Sequence, residues 1–380
     1  MGIIGGGPGG LTLARVLATR GITATVFELD EHPLARPQGG SLDLHGDSGL
    51  RALREAGLEA EFNAVARYDD QGDALYDSQG TLHFQHNEAS DGDRPEIDRT
   101  QLRSLLLDSL PAERIRWGSK VSAVEPLPDG RYRVAGPAGT LGAFDLVVGA
   151  DGAWSKVRPL VSPATPTFTG VLFIELQIDD VDTRHPAVAE LLPRGKLSVV
   201  GKSQGLIAQR SSHGHVRAYF MFRVSEARLR EGVVDTASPA RAREQLKALL
   251  PGWAPSLLTF IDASNDTMAA RPIIALPVGH RWTHRPGVTL LGDAAHVMPP
   301  FSGEGVNMAM LDGAELALAL AADADWSRAV KGYEEAMFER AAAAAAGAMQ
   351  GLDFVSDHAL QHVLEHFRVL QRELAAAGPH

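Results

Sequence analysis

A glycine-rich segment near the N-terminus has the residue types and the spacing of a nucleotide-binding turn. Gly5, Gly7 and Gly10 fit the pattern G-x-G-x-x-G, and Glu28 stands 18 residues after Gly10. Such glycines allow the backbone to approach a pyrophosphate, the following helix start offers free N–H groups, and the acid binds ribose hydroxyls. The pattern predicts a dinucleotide site without separating FAD from NAD. A glycine-rich turn with no ligand is the alternative.

Two later segments also carry an aspartate directly after an apolar run. Residues 290–296 read LLGDAAH, and residues 149–158 read GADGAWSKVR. A strand that ends in Gly-Asp at the start of a helix suits a carboxylate that accepts hydrogen bonds from a long polyol, and a simple NAD site has no need of one. The late segment therefore favours FAD.

These three motifs, in this order, resemble those of the FAD-dependent aromatic hydroxylases. In that family the mid-chain Asp151-Gly152 pair is associated with both FAD and NADPH. Further stretches, GGSLDLH at 39–45, PEIDR at 95–99 and GDAAHVMPPF at 292–301, are similar to those of the tetracycline-inactivating flavin monooxygenases of the TetX type. The resemblance spans both cofactor segments and the C-terminal region.

The resemblance implies roles for individual residues. Arg36 would meet NADPH, and the following residues would bind FAD: Gly5, Gly7, Gly10, Glu28, Asp43, Arg103, Asp293, Gly305 and Asn307. Each has a plainer alternative, since Arg36 and Arg103 could be ion-pair partners and Asp43 could cap a turn.

The loop PPFSGEGVN at 299–307 resembles the family's flavin loop, with Pro300, Gly303 and Gly305 beside the ring. Backbone N–H groups at a helix start stabilise negative charge, and small residues leave room for oxygen. The resemblance implies chemistry at the flavin C4a atom, with no side chain as a covalent or acid–base catalyst. A loop that only caps the helix is the alternative.

Apolar patterning predicts the elements that position these residues. A strand at 2–4, a helix at 11–19 and a strand at 23–29 form a βαβ unit, followed by a helix at 96–110 and strands at 131–134, 144–148 and 287–291. Short strands at 170–178, 196–200, 206–209 and 216–224 indicate an inserted antiparallel sheet, and the tail from 327 to 377 has helical propensity.

The predicted fold is α/β: a Rossmann-like FAD-binding domain (1–164 and 271–326), an inserted β-rich substrate domain (165–270) and C-terminal bracing helices (327–380). Within the insert, Gln204 resembles the residue of the family's substrate-addressing Gln-Gly turn. The predicted substrate residues are Gln204, Met221, Phe222, Arg223, Pro300, Phe301 and Gly303. Because strands alternate, placement in a core or on a surface is an equal alternative for the residues of the sheet. The segment 209–213 departs from the TetX pattern, which leaves tetracycline open as the substrate.

Composition excludes several classes of function. The chain has no cysteine, so disulfides, thiolate catalysis and iron–sulfur clusters are absent. The net charge of −11, with no stretch rich in Lys or Arg, argues against nucleic acid as a partner. We find no apolar run near the roughly 18 residues of a membrane helix and expect a cytoplasmic protein, with a monomer implied by the resemblance.

His358, His362 and His366 have a spacing that could hold a metal, but a solvated helix face is the expected explanation, and no metal site is predicted.

Together these features predict an NADPH-using, FAD-dependent monooxygenase that acts with O2 on a planar polycyclic phenol or enol such as a tetracycline. The alternatives are a hydroxylase of the same fold with another aromatic substrate, and a protein that binds FAD and sequesters a drug without turnover.

Overall fold

The structure is a computed structural model that describes residues 1–36, 38–68, 72–86, 94–192 and 194–365. With these gaps, unit 1 contains residues 1–67, 94–167 and 274–349, and unit 2 contains residues 68–86, 168–273 and 350–365. In this division 68–86 and 350–365 group with the inserted sheet, and 327–349, the first part of the predicted bracing helices, groups with unit 1.

In chain order, the strands are β1 (Gly2–Ile4), β2 (Thr25–Phe27), β3 (Ser41–Asp43), β4 (Gly72–Asp77), β5 (Leu82–His86), β6 (Glu96–Asp98), β7 (Ile115–Arg116), β8 (Ala123–Pro126), β9 (Tyr132–Gly136), β10 (Gly139–Phe144), β11 (Val147–Gly149), β12 (Thr167–Ile178), β13 (Gly195–Gly201), β14 (Gln204–Arg210), β15 (Val216–Arg223), β16 (Met268–Ala275) and β17 (Val288–Leu290). The α-helices are α1 (Pro8–Thr19), α2 (Gly49–Ala56), α3 (Glu59–Asn63), α4 (Arg99–Asp108), α5 (Val181–Arg184), α6 (Pro186–Leu191), α7 (Glu226–Glu231), α8 (Pro239–Leu249), α9 (Pro255–Asp262), α10 (Asp293–His296), α11 (Glu304–Ala322) and α12 (Trp326–Gln350).

Unit 1 is built on a parallel sheet in the order β17-β11-β1-β2-β7. Strands β1, β11 and β17 consist of buried residues, as expected of a parallel sheet with both faces covered. Because the strands are parallel, their carboxyl ends share one edge, where the glycine turn, Glu28, the Asp-Gly motif and the Gly-Asp motif follow β1, β2, β11 and β17. The sheet confirms the predicted α/β class.

Two glycines allow α1 to pack closely against α11 in unit 1. A Cβ at Gly9 would lie 2.7 Å from the carbonyl oxygen of Ala309, and a Cβ at Gly313 would lie 2.5 Å from the carbonyl oxygen of Gly9. Larger side chains would force these two helices apart.

The predicted helix at 96–110 begins three residues later than expected. Glu96–Asp98 forms β6, which pairs antiparallel with β3, and α4 starts at Arg99. The buried Ile97 lies between two acidic residues, which is the alternation of a strand rather than the spacing of a helix.

Unit 2 is built on a seven-stranded sheet in the order β16-β12-β15-β14-β13-β4-β5. Strands β12 to β15 pair antiparallel, as predicted, whereas β13 pairs with β4 in parallel. Helices α8 and α9 supply the apolar core on one face, around residues such as Leu172, Phe220, Leu246 and Phe260. The sequence did not predict β4 and β5, a hairpin whose β4 joins the sheet beside β13, a strand distant in the chain.

The predicted helical tail is interrupted. Helix α12 ends at Gln350, a 3-10 segment covers Gly351–Val355, and residues 359–365 are helical again. Residues 366–377 of that prediction lie outside the described part of the chain.

Helix α11 is long and apolar enough to be compared with a membrane helix, although the sequence analysis found no apolar run of that length. Its 19 residues are apolar enough to cross a membrane by length and composition alone, with a mean hydropathy of 1.3, but 56% of that window is buried in the protein. The core helix of a folded domain passes the same test.

Candidate functional site

The glycine turn lies between β1 and α1, and its glycines do different work. Gly5 has a φ of +108°, and a Cβ there would lie 2.2 Å from the carbonyl oxygen of Ala150. A Cβ at Gly10 would lie 2.2 Å from the carbonyl oxygen of Gly5, whereas a Cβ at Gly7 would meet no heavy atom within 4 Å. Gly5 and Gly10 are therefore needed for packing, and Gly7, at the start of α1, faces open space where a ligand can approach.

Glu28 follows β2 and is tied to this turn. Its Oε2 accepts a hydrogen bond from the Gly6 amide at 2.6 Å, and its Oε1 accepts one from the Asp30 amide at 2.9 Å. The residue is buried, with 6% of its surface exposed. The predicted ribose-binding acid thus also shapes the turn.

Asp30 is a residue that the sequence analysis missed. The two arginines assigned to different cofactors both pair with it: Arg103 Nη2 lies 2.9 Å from Oδ2, and Arg36 Nε donates to Oδ1 at 2.9 Å. The sequence signal that could have identified Asp30 is its position two residues after Glu28.

The two arginines differ in exposure. Arg103 is buried, and its Nε and Nη2 make no hydrogen bond within the described residues; its guanidinium lies 5.5 Å from the Trp117 ring centre. Arg36 is 59% exposed. The Nη2 of Arg103 is nevertheless ion-paired with Asp30, and its Nη1 donates to the carbonyl oxygen of Pro33 at 3.1 Å. Both arginines therefore have the ion pair that their plainer alternative describes, buried for Arg103 and at the surface for Arg36.

Asn307, in the first turn of α11, joins two segments of the site. Its Oδ1 accepts the amide of His45 at 3.0 Å, and its Nδ2 donates to the carbonyl oxygens of Asp43 at 2.9 Å and Gly303 at 3.2 Å. It therefore fixes the end of β3 to the predicted flavin loop.

The flavin loop itself is a 3-10 turn, Pro300–Ser302, followed by Gly303. Gly303 has a φ of +70°, and a Cβ there would lie 3.1 Å from Oδ1 of Asp43. Gly305 has open space beside it, and Phe301 is half-buried. The loop is held close to Asp43 and leads the N–H groups of α11 toward the same region.

The Gly-Asp motif after β17 places Asp293 as the first residue of α10. Its side chain is accessible to solvent, yet the protein atoms crowded around it desolvate the carboxyl and raise its pKa, against the opposing charges of His296 and Arg99. The preceding Gly292 has a φ of +57° and donates its amide to Oδ2 of Asp312 at 3.0 Å.

Asp312 on α11 is a second residue that the sequence analysis missed. It is 1% exposed, its Oδ2 lies 2.6 Å from Nε2 of His296, and its Oδ1 lies 3.4 Å from Nη2 of Arg340. Burial disfavours a charged His296, but the Asp312 carboxylate outweighs it and the pKa of His296 is raised. This ion pair holds the Gly-Asp turn in place.

The mid-chain motif is ordered by its own hydrogen bonds. Oδ2 of Asp151 accepts the Lys156 amide at 2.6 Å, and burial raises the pKa of this carboxyl. The buried Arg158 donates to the carbonyl oxygens of Ala153 at 2.6 Å and Ala294 at 3.0 Å. Arg158 therefore connects the Asp-Gly motif to the Gly-Asp motif.

The predicted substrate residues of unit 2 lie on opposite faces of its sheet. Phe222 packs in the core under α8 and α9, and Gln204 donates to the carbonyl oxygen of Leu249 at 2.6 Å and accepts from Trp253. Phe222 thus has the core placement that was its alternative, the half-buried Gln204 has two structural hydrogen bonds, and a substrate role for either residue stays a prediction. Strand alternation turns Met221 to the other face.

Arg223 has structural contacts as well. Its Nε donates to the carbonyl oxygen of Val355 at 3.0 Å and its Nη2 to that of Leu352 at 2.8 Å. It therefore fastens the C-terminal 3-10 turn to the sheet.

The ring centres of His358 and His362 are 6.4 Å apart, and His366 lies outside the described residues. No group of His, Cys, Asp or Glu that could hold a metal ion is found in the part described.

The residues of unit 1 fit FAD. The open space at Gly7, the accessible Asp293 and the helix start beside Gly305 suit a pyrophosphate, a ribityl chain and a flavin ring, respectively. A parallel sheet with a glycine turn, an Asp-Gly motif and a Gly-Asp motif after its strands is the architecture of an FAD-binding domain.

Comparison with known proteins agrees. The chain belongs to the FAD-binding domain family FAD_binding_3, whose profile matches residues 1–350. It is similar to Monooxygenase penA of Penicillium thymicola, with 32% identity over 89% of this chain and 91% of that protein, and to Monooxygenase asqM of Emericella nidulans, with 31% identity over 83% and 82%. The protein is an FAD-dependent monooxygenase.

Solved structures share the fold. Klebsiella pneumoniae HpxO complexed with FAD and uric acid has a TM-score of 0.81 and 22% identity, covering 98% of this chain and 92% of that chain. The tetracycline destructase Tet(51) has a TM-score of 0.71 and 20% identity, covering 98% and 95%.

Proposed function

We propose that the protein uses NADPH and O2 to hydroxylate a planar phenol or enol. The observation that carries this proposal is the collection of all the FAD motifs and the flavin loop in unit 1. FAD, when bound, supplies the redox and oxygen-transfer chemistry. No side chain is assigned a covalent or acid–base step.

The chain's own contribution is to bind and to orient. Gly7, Arg103 and Asp293 would hold the cofactor, and Asn307 fixes the flavin loop through its three backbone hydrogen bonds. The N–H groups at the start of α11 favour negative charge beside the loop. Exclusion of water protects the oxygen-transfer step from losing oxygen as hydrogen peroxide.

Two substrate classes compete. A tetracycline-like compound is supported by the motifs at 39–45, 95–99 and 292–301 and by the fold shared with Tet(51). Another aromatic compound, in biosynthesis or catabolism, is supported by the identity with penA and asqM and by the fold shared with the uric-acid complex of HpxO. The core contacts of Gln204 and Phe222 weaken the tetracycline assignment, so we favour the second class.

The remaining assignments extend the proposal. Arg36 is exposed at the edge of the site and would bind the phosphate of NADPH. With a net charge of −11, nucleic acid is not a proposed partner. A cytoplasmic monomer is the proposed state.

The experiment is a comparison of substrates in one assay. FAD-loaded protein consumes NADPH under air with tetracycline, 2-naphthol or uric acid, while product mass and hydrogen peroxide are measured together. Oxygenated 2-naphthol or uric acid with unchanged tetracycline supports the favoured class. Oxygenated tetracycline supports the other class, and peroxide alone with every compound argues against hydroxylation of these classes.

A further inference from the structure

A buried histidine bridges two carboxylates that come from different parts of unit 1. Nε2 of His45 lies 3.1 Å from Oδ2 of Asp43, and its Nδ1 lies 3.3 Å from Oε1 of Glu304. The His45 side chain is 7% exposed. Asp43 ends β3 and Glu304 begins α11 directly after the flavin loop, so the imidazole connects the two segments that Asn307 also joins.

The arrangement requires the charged form of the ring. An ionised carboxylate only accepts hydrogen bonds, and a neutral imidazole donates from one nitrogen only. A neutral His45 would therefore donate to only one of the two carboxylates. The imidazolium donates to both Asp43 and Glu304 and offsets their mutual repulsion.

We propose that His45 is a positioning residue whose imidazolium holds the flavin loop against the end of β3, so that FAD affinity depends on its charge. The proposal concerns FAD binding and is independent of the substrate. Loss of the charge frees Glu304 from Asp43, loosens the loop at Gly303 and weakens the cofactor site.

The two carboxylates also set the pH range. Hydrogen bonds to Asp43 and then to Glu304 raise the pKa of His45 to about 9, although burial opposes this. Because the pKa in the folded protein exceeds the ordinary value of about 6.5, the stabilisation is complete below that value. It is lost as the pH rises through about 9.

Neighbouring charges have other partners. The segments packed around His45 carry Arg94, 3.9 Å from Oδ2 of Asp43; Asp47, which accepts from Ser48; Arg51, 3.2 Å from Glu315 of α11; and Arg54, which donates to the carbonyl oxygen of Gly46. On β6, which pairs with β3, Glu96 accepts from Ser41 and Asp98 lies 3.0 Å from Arg67. Of these, only Arg94 shares a carboxylate with His45, and arginine keeps its charge throughout this pH range.

The test is the dissociation constant of FAD, measured by flavin fluorescence between pH 6.5 and 10. For the natural protein we expect a constant Kd up to about pH 8 and a rise of about tenfold through pH 9, since one pK unit corresponds to tenfold. His45→Gln, which donates to one carboxylate only, should bind FAD about tenfold more weakly at pH 7 and should show no rise that exceeds the flavin's own ionisation.

The matched control is His83→Gln, which removes a histidine 2.9 Å from Asp77 in unit 2 and should leave the FAD profile unchanged. Glu304→Gln removes one of the two carboxylates, so the rise in Kd should move to lower pH. This variant keeps the test decisive if His45→Gln does not fold. The protection of residues 301–307 against hydrogen exchange in FAD-free protein, taken relative to the intrinsic exchange rate at each pH, should fall above pH 9 in the natural protein but not in His45→Gln. A Kd profile shared by the natural protein, His45→Gln and Glu304→Gln would overturn the proposal.

Discussion

The Gly6 amide donates a hydrogen bond to Glu28 at 2.6 Å, across the carboxyl ends of two neighbouring parallel strands. The acid that the motif assigns to a ribose therefore also holds the glycine turn. Glu28 has a second amide donor, Asp30, so its carboxylate is a structural acceptor on both oxygens.

Substitution of this acid should affect both stability and cofactor binding. Glu28→Gln replaces one acceptor oxygen with an amide donor that faces a backbone N–H. We expect the free energy of unfolding of FAD-free protein to fall by about 1–3 kcal/mol and FAD affinity to fall about tenfold, measured by urea unfolding and fluorescence titration. Glu125→Gln, at a half-exposed pair with Arg133, is the control. Equal behaviour of the two variants would contradict this role.

A substitution at Gly7 should change FAD affinity without changing the stability of the fold, because the space beside Gly7 is open. Gly7→Ala should leave the unfolding midpoint nearly unchanged, because its Cβ meets no heavy atom within 4 Å. FAD affinity should drop by about tenfold or more, since the methyl group occupies the space for a pyrophosphate. In α12, Gly332→Ala also meets no neighbour and should leave FAD affinity unchanged while stabilising the helix by about 1 kcal/mol. Undiminished FAD binding by Gly7→Ala would place the phosphate elsewhere.

The buried pair of Asp312 and His296 should make stability depend on pH. The raised pKa of His296 means that its contribution is complete below about pH 6.5 and declines as the pH rises through the higher value in the folded protein. Asp312→Asn should cost about 3 kcal/mol at pH 6 and reduce the pH dependence, as measured by urea unfolding at pH 6 and pH 8. Asp323→Asn, at an exposed pair with Arg328, should leave stability unchanged. A pH dependence that persists in Asp312→Asn would point to another group.

Substitutions of the two arginines that pair with Asp30 should affect different cofactors. Arg36→Ala should raise the KM for NADPH about tenfold, the factor that corresponds to about 1.4 kcal/mol, and should leave the Kd for FAD unchanged, because the side chain is exposed. Arg103→Ala should weaken FAD binding instead. Arg20→Ala, at an exposed pair with Glu55, is the control. A normal KM for NADPH in Arg36→Ala would mean that Arg36 does not bind NADPH and serves only as the ion-pair partner of Asp30.

The parallel sheet and the cofactor motifs could be predicted because they depend on local sequence. Strands β1, β2, β11 and β17 lie in apolar runs, and Gly5, Glu28, Asp151 and Asp293 stand within three residues after them. Asp312 and Asp30 escaped prediction because their partners come together only in the fold: Asp312 lies 20 residues from Gly292 and 28 from Arg340.

Unit 2 was less predictable for a related reason. Strand β4 joins β13 from more than 100 positions away in sequence, and no local pattern indicates that pairing. Phe222 and Met221 were assigned together although adjacent strand residues face opposite sides. The inserted sheet was recognised from the alternation of apolar and polar residues along its strands. Which face of the sheet packs in the core depends on the helices that cover it.

The most direct test of oxygen insertion is the mass of the product formed under 18O2 by FAD-loaded protein with NADPH and a planar phenol such as 2-naphthol. The account predicts one atom of 18O in the product and none from labelled water. A product oxygen that comes from water, or full NADPH oxidation without any labelled product, would contradict it.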